Sequence, residues 1–168
     1  MEKSREIHNI PPLYDKNARV LILGSFPSVK SRQAAFFYAH PQNRFWPTLA
    51  AIFGEETPGT VEEKRSLALR HGVAMWDTIG SCEIVGSSDA SITNVAPNDL
   101  RIILDAADIR AILCNGGASY ESYNQYCRAM TGREAVKLPS TSPANARWTK
   151  EMLLHAWREA ICPYLTIV

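Results

Sequence analysis

Short apolar runs alternate along this chain with stretches of helical spacing. Val20, Leu21, Ile22 and Leu23 form a continuous run closed by Gly24, the pattern of a strand buried on both faces of a parallel sheet. Residues 72–77, 110–114 and 134–138 read as three further strands. Between the first two strands, Phe45, Leu49, Ile52 and Phe53 recur at helical spacing and stop at Gly54. Thr60-Val61-Glu62-Glu63 has the spacing of a capping box and starts a helix running to about His71. Asn98-Asp99 caps a helix that buries Leu100, Ile103, Leu104 and Ala107, and Gly116-Gly117 opens another with Tyr120, Tyr123, Cys127 and Met130 along one side. A last helix spans Thr149 to Ile161 and stops before Pro163. The alternation predicts an α/β fold, a three-layer α/β/α sandwich around a central four-stranded parallel sheet with right-handed crossovers.

Three stretches fall outside that rhythm. Residues 1–18 are polar apart from an Ile7, Ile10, Leu13, Tyr14 patch broken by two prolines, and are expected to pack over the sheet edge with no regular element and no chemistry. Residues 25–44 read as a loop of more than a dozen residues, crowded with polar and aromatic groups. Residues 78–97, rich in Gly, Ser, Thr and Asp, read as a second long loop covering one side of a cleft. No repeat, low-complexity tract or linker divides the chain, so 1–168 is expected to be one domain.

Composition narrows the picture. With 46% hydrophobic residues, 168 residues suffice for a domain that buries roughly 70% of its unfolded surface. Cys82, Cys114, Cys127 and Cys162 are far apart, with no Cys-x-x-Cys pair, and read as reduced thiols in a cytoplasmic protein without a metal. No apolar run follows Met1-Glu2-Lys3-Ser4-Arg5, and nowhere do 18 consecutive apolar residues occur, so neither a signal peptide nor a membrane span is expected. A net charge of +1 excludes a globally basic nucleic-acid binder. Residues 128–150 nonetheless hold Arg128, Arg133, Lys137, Arg147 and Lys150 against Glu134 alone, a basic face sufficient for phosphate contacts.

Candidate chemistry gathers in the loops after the strands, where open α/β sheets bind ligands. The first loop begins Gly24-Ser25-Phe26-Pro27-Ser28 and ends His40-Pro41-Gln42-Asn43-Arg44-Phe45-Trp46; a later one reads Leu138-Pro139-Ser140-Thr141-Ser142-Pro143-Ala144-Asn145. Plainer readings stand beside each residue. Asn43 is placed to cap the helix starting at Phe45. Asp77 can cap the loop after the second strand, His40 can hold a turn before Pro41, and Phe36 and Phe37 can be core. Asn115-Gly116-Gly117 fits a phosphate cradle and tight packing equally well.

These two motifs, in this order, resemble those of the uracil-DNA glycosylase superfamily, in particular its hypoxanthine-DNA (deoxyinosine) glycosylase branch, and the resemblance runs from Arg19 to the last helix. It implies a monofunctional glycosylase that swings a deaminated base out of DNA and hydrolyses its bond to deoxyribose, with hypoxanthine as the favoured base. Asn43 would position the water, its amide accepting from the water while donating elsewhere. Gly24, Ser25, Phe26, Tyr38, His40, Asp77 and Asn115 would form the base pocket, with Tyr38 stacking on the base, Phe26 shaping the wall and Asp77 reading a ring N–H. Ser28, Ser140, Thr141, Ser142, Pro143, Asn145, Arg147 and Lys150 would hold the DNA strand. The clustered cysteines of the iron–sulfur branches are missing, so no cofactor is implied. No lysine lies in either motif, so water rather than an amine is the expected nucleophile.

The chain departs from better-known branches by carrying Phe26 where they place Asn or Asp, and Ser140 where they place His, which points away from robust uracil removal. The rival expectations are a uracil or mismatch-specific glycosylase, a catalytically silent damaged-DNA or nucleotide-binding module, and a small-ligand protein on the same topology. The expected partner is DNA bearing deaminated bases, bound by a monomer away from any membrane.

Overall fold

In a computed structural model, residues 2–165 are described, and two sheets organise them. The central sheet is parallel, in the order β3 (Val73–Asp77), β2 (Val20–Gly24), β6 (Ala111–Asn115), β7 (Val136–Leu138). β2 and β3 are buried along their whole length, which is why their sequences run apolar without alternating, up to Asp77 at the end of β3. Helix α2 (Phe45–Ile52) packs on α7 (Lys150–Leu165), which reaches β2 and β7. α3 (Val61–Arg70) covers β3, capped by Thr60 as its sequence predicts. α4 (Arg101–Leu104) is a short turn with Leu100 and Ile103 fully buried. α5 (Gly117–Ser122) packs over β6 and continues through a π-helical turn at Tyr123–Cys127 into α6 (Arg128–Thr131), burying Tyr123 and Cys127 in the core. The α/β class and the four-stranded parallel sheet are as expected.

Four stretches differ from expectation. The N-terminal segment is not irregular: β1 (Ser4–Ile7) pairs antiparallel with β4 (Ile79–Ile84), and Leu13 bridges Met75. The expected loop over 78–97 is mostly sheet, because β4 pairs on its other side with β5 (Thr93–Pro97). Their half-exposed, polar residues give no apolar run to read. A helix, α1 (Val29–Ala34), interrupts the first loop; the Ser28 hydroxyl caps it by accepting from Ser31 N. Finally α7 does not stop before Pro163 but carries it in its last turn.

The two sheets meet at Thr78, which is fully buried: its N–H donates to Gly24 O at 2.9 Å, and Ile79 N–H donates to Ser25 O at 3.1 Å. The chain therefore passes from the central sheet into the small one without leaving the carboxyl ends of the parallel strands.

Candidate active site

Gly24 pairs with Asp77 and Asn115 with Leu138, so four parallel strands end at one level. A cavity of about 380 Å³ opens there, lined by Gly24, Asp77 and Asn115 from the strand ends and by both sequence motifs. Of the residues expected in the base pocket, all seven (Gly24, Ser25, Phe26, Tyr38, His40, Asp77 and Asn115) line it, together with Asn43. Of those expected to hold DNA, Ser28, Ser140, Thr141, Ser142 and Pro143 line it as well. Asn145 sits in an adjoining groove, and Arg147 and Lys150 are exposed outside the cavity.

Asn43 stands at the centre of a polar chain that ties the two motifs together. Its Oδ1 accepts from Phe45 N–H at 2.9 Å and from the Thr141 hydroxyl at 2.8 Å. Thr141 Oγ1 in turn accepts from Asn115 Nδ2 at 2.9 Å, and Thr141 N–H donates to Asn115 Oδ1 at 3.0 Å. Because a backbone N–H can only donate, the bond from Phe45 fixes which end of the Asn43 amide is oxygen. Both lone pairs of that oxygen are used. The amide was expected to accept from water; here it meets a ligand through its two N–H donors instead. Thr141, expected to offer its hydroxyl to a phosphate, is fully buried and joins Asn43 to Asn115.

The second motif is shaped by Arg44 of the first, a residue whose position in the sequence gives no sign of that role. Arg44 donates through its backbone to Thr141 O at 3.0 Å, and its guanidinium donates to Ser142 O at 3.0 Å, to Asn145 O at 2.9 Å and to Trp148 O. A planar group with five donors suits three carbonyls that a turning backbone brings together, two of which, Ser142 O and Asn145 O, also accept from Asn145 N–H and Trp148 N–H. Asn145 closes the same loop by donating to Ser140 O at 3.0 Å. Ser140 and Ser142 accept from backbone N–H groups within the loop and keep their hydroxyl protons for a ligand. Gly116, at φ +94°, lies so close to the loop that a Cβ there would meet Ser140 Cβ at 3.0 Å. Tight packing therefore explains this glycine.

Opposite, the turn between β4 and β5 docks on the first loop. Arg32 donates to Pro27 O at 2.7 Å and Gly86 O at 3.1 Å, with its guanidinium over the Phe26 ring, and Val29 N–H donates to the Ser87 hydroxyl. This docking brings Asp89 to the cavity, where its carboxylate accepts from Ser25 Oγ at 2.7 Å. Burial raises the Asp89 carboxyl above its ordinary value, the Ser25 hydrogen bond pulls it down, and the charge of Asp77 adds to the rise. No signal in the 78–97 stretch marks Asp89, because only the tertiary fold turns it toward Ser25.

The aromatic groups divide their work. Phe26 packs with Ile79, Cys82 and Ile84 of the small sheet and forms a cavity wall. Phe36 and Phe37 both belong to the core, although Phe37 also reaches the cavity. Tyr38, in the left-handed region at φ +52°, stacks on Phe45 with ring centroids 4.3 Å apart, so at most one face remains for a base. Its hydroxyl is sealed from solvent and makes no hydrogen bond of regular geometry among the described residues. Burial and then the Asp77 charge push it well above the ordinary tyrosine range, against a pull from the Asn115 amide, so it remains a neutral phenol. His40 holds its turn by accepting from Gln42 N–H at 3.1 Å while lining the cavity.

Asp77 packs against Gly24 at the end of β2. A Cβ on Gly24 would lie 2.3 Å from Asp77 Oδ1, so only glycine fits there. Asp77 Oδ2 accepts from His8, a residue of the N-terminal segment to which no chemistry was assigned.

The model of the family described as the Uracil DNA glycosylase superfamily matches residues 11–161. A Hypoxanthine DNA glycosylase of Methanosarcina barkeri is 36% identical over 152 residues, which cover 89% of this chain and 94% of that protein. A protein of the same name from Methanosarcina acetivorans is 32% identical over 141 residues, 83% of this chain and 89% of its own. Among solved structures, the solution NMR structure of an M. acetivorans protein assigned to the uracil DNA glycosylases superposes with a TM-score of 0.77 at 29% identity, covering 90% of this chain and 94% of that one.

Proposed function

Because this chain belongs to the uracil DNA glycosylase superfamily, we propose that it is a monofunctional DNA glycosylase that releases deaminated bases, hypoxanthine first among them, in base excision repair. The observation that carries the reading is the hydrogen-bonded chain from Asn43 through Thr141 to Asn115, which joins the two motifs and three strand-end loops in one cavity.

The chemistry follows from the groups around that cavity. A flipped nucleotide places its base between Phe26 and Tyr38, with its edge toward Asp77 and Asn115 and its phosphates toward Ser28, Ser140 and Ser142. Asn43 holds a water by donating an amide N–H to the water oxygen, whose remaining lone pair faces C1′ of the sugar. As the C1′–N bond breaks, its electron pair leaves with the base, and the water oxygen bonds to C1′. The proton shed by the water passes to Asp89, which lines the cavity and whose burial makes its carboxylate a stronger base than a solvated one, and the departing base anion takes a proton from solvent. No lysine lines the cavity among the described residues, in keeping with a water nucleophile. The enzyme works as a monomer on DNA. The free buried thiols of Cys82, Cys114 and Cys127 suit a cytoplasmic enzyme.

Single-turnover release from labelled duplexes carrying hypoxanthine, uracil or xanthine, followed by alkaline cleavage of the abasic product, tests this reading. Hypoxanthine release well above uracil is expected. Asn43→Ala is expected to lower it by at least about a hundredfold with duplex affinity retained. Release of uracil in preference would make the protein a uracil glycosylase, and retained binding without any release would make it a recognition module.

A further inference from the structure

His8 lies outside both motifs and outside the stretch matched by the family model. It is nonetheless buried against the cavity, with side-chain exposure of 3% for His8 and 6% for Asp77. Its Nδ1 accepts from Ile10 N–H at 3.2 Å. A backbone N–H can only donate, so Nδ1 carries no proton and the ring proton sits on Nε2. That proton points at Asp77 Oδ2, 2.7 Å away.

The imidazole is held in this orientation on every side. Its backbone N–H donates to Gly80 O at 2.7 Å, extending by one step the pairing of β1 with β4. Phe26 meets the ring edge-on at 6.0 Å and Trp76 at 6.2 Å. The pairing of Ser4–Ile7 with the small sheet thus delivers a hydrogen-bond donor of fixed tautomer to the end of β3.

The other Asp77 oxygen has a different surrounding. Oδ1 accepts no hydrogen bond among the described residues and lies over Gly24, where only the lack of a side chain makes room for it. Both Gly24 and Asp77 line the cavity.

We propose that His8 is a positioning residue for base recognition: by donating into Oδ2 it holds Asp77 as a hydrogen-bond acceptor and turns Oδ1 to the ring N–H of the flipped base. The proposal rests on the glycosylase reading above and gives it a substrate class. Hypoxanthine, which presents a ring N–H beside a carbonyl on its pairing edge, is accepted where adenine is not. Adenine and unsubstituted purine present a bare ring nitrogen there, so two lone pairs face each other and the base is rejected.

The test compares duplexes carrying hypoxanthine with duplexes carrying unsubstituted purine. Release is measured in single turnover, and binding is measured on the 2′-fluoro forms of both nucleotides, whose glycosidic bonds resist cleavage. Wild type is expected to favour hypoxanthine in both. His8→Ala is expected to cut the hypoxanthine-to-purine ratio by about tenfold or more, because the acceptor is no longer held in place. His8→Gln, whose amide can still donate into Oδ2, is expected to restore part of the ratio, and Asn43→Ala is expected to slow release of both bases while leaving the binding ratio unchanged. An unchanged binding ratio in His8→Ala overturns the proposal, whatever happens to absolute rates or melting temperature, since a purely structural role would weaken both bases alike. A wild type that binds the two equally overturns it too. Absence of release by wild type is a separate result that overturns the glycosylase reading, while the binding ratio still decides the role of His8.

Discussion

Asn43 shows how one side chain can satisfy a local and a distant demand together. Its position before Phe45 suggests a cap, and its oxygen does accept from Phe45 N–H, at the first residue of α2. The same oxygen accepts from Thr141, which lies 98 residues away in sequence. Arg44, not Asn43, is the N-cap residue of α2, yet the bond from Phe45 N–H still serves the helix start and fixes the amide so that its donors face the cavity. Thr141→Val tests this link. Valine keeps the shape but leaves Asn43 and Asn115 each short of a partner, so a stability loss of about 1–2 kcal/mol is expected in denaturant unfolding. Hypoxanthine release should fall about tenfold while duplex affinity changes little, since Thr141 is buried and its hydroxyl proton is committed to Asn43. A loss of affinity with unaltered release would return Thr141 to the phosphate role first expected of it.

At the scale of elements, the second motif is a loop held by an arginine from the first motif as well as by its own turns. Three carbonyls, from Ser142, Asn145 and Trp148, converge on the Arg44 guanidinium. Charge-assisted bonds of this kind contribute about 1.5–3 kcal/mol each before coupling, so Arg44→Ala is expected to cost at least about 3 kcal/mol. Arg44→Lys keeps the charge but cannot span three acceptors, and is expected to retain stability better than alanine while still slowing base release; melting curves beside single-turnover rates check both. Elements with a strong period were legible from sequence: β2, β3, α2 and α3 lie close to where their apolar spacing and caps put them. The small sheet was not legible. β1, β4 and β5 are short and partly exposed, and each is a strand only because a neighbour supplies its ladder. Helix α7 continues through Pro163, for which the local rule predicts an end.

For the whole molecule, a net charge of +1 leaves duplex affinity to local placement of charge. Arg147 and Lys150 are exposed beside the second motif, while Arg128 is paired with Glu134. Duplex binding is therefore expected to fall linearly on a log–log plot against salt, and replacing both Arg147 and Lys150 with Ala should reduce that slope by about 2. A slope unaffected by the double substitution would move the phosphate contacts elsewhere. The sequence by itself determined the parallel sheet, the place of the cavity at its strand ends and most of the residues around it, because buried strands must be apolar and the motifs are contiguous in the chain. Only the tertiary structure decided how those residues act: that Asn43 spends its oxygen on Phe45 and Thr141 and meets a ligand through its N–H donors, that Arg44 shapes the second loop, and that Asp89 and His8 reach the cavity. The physical reason is that a hydrogen bond is set by the relative placement of two groups. These groups are brought together by strands and turns that have no period of their own to read.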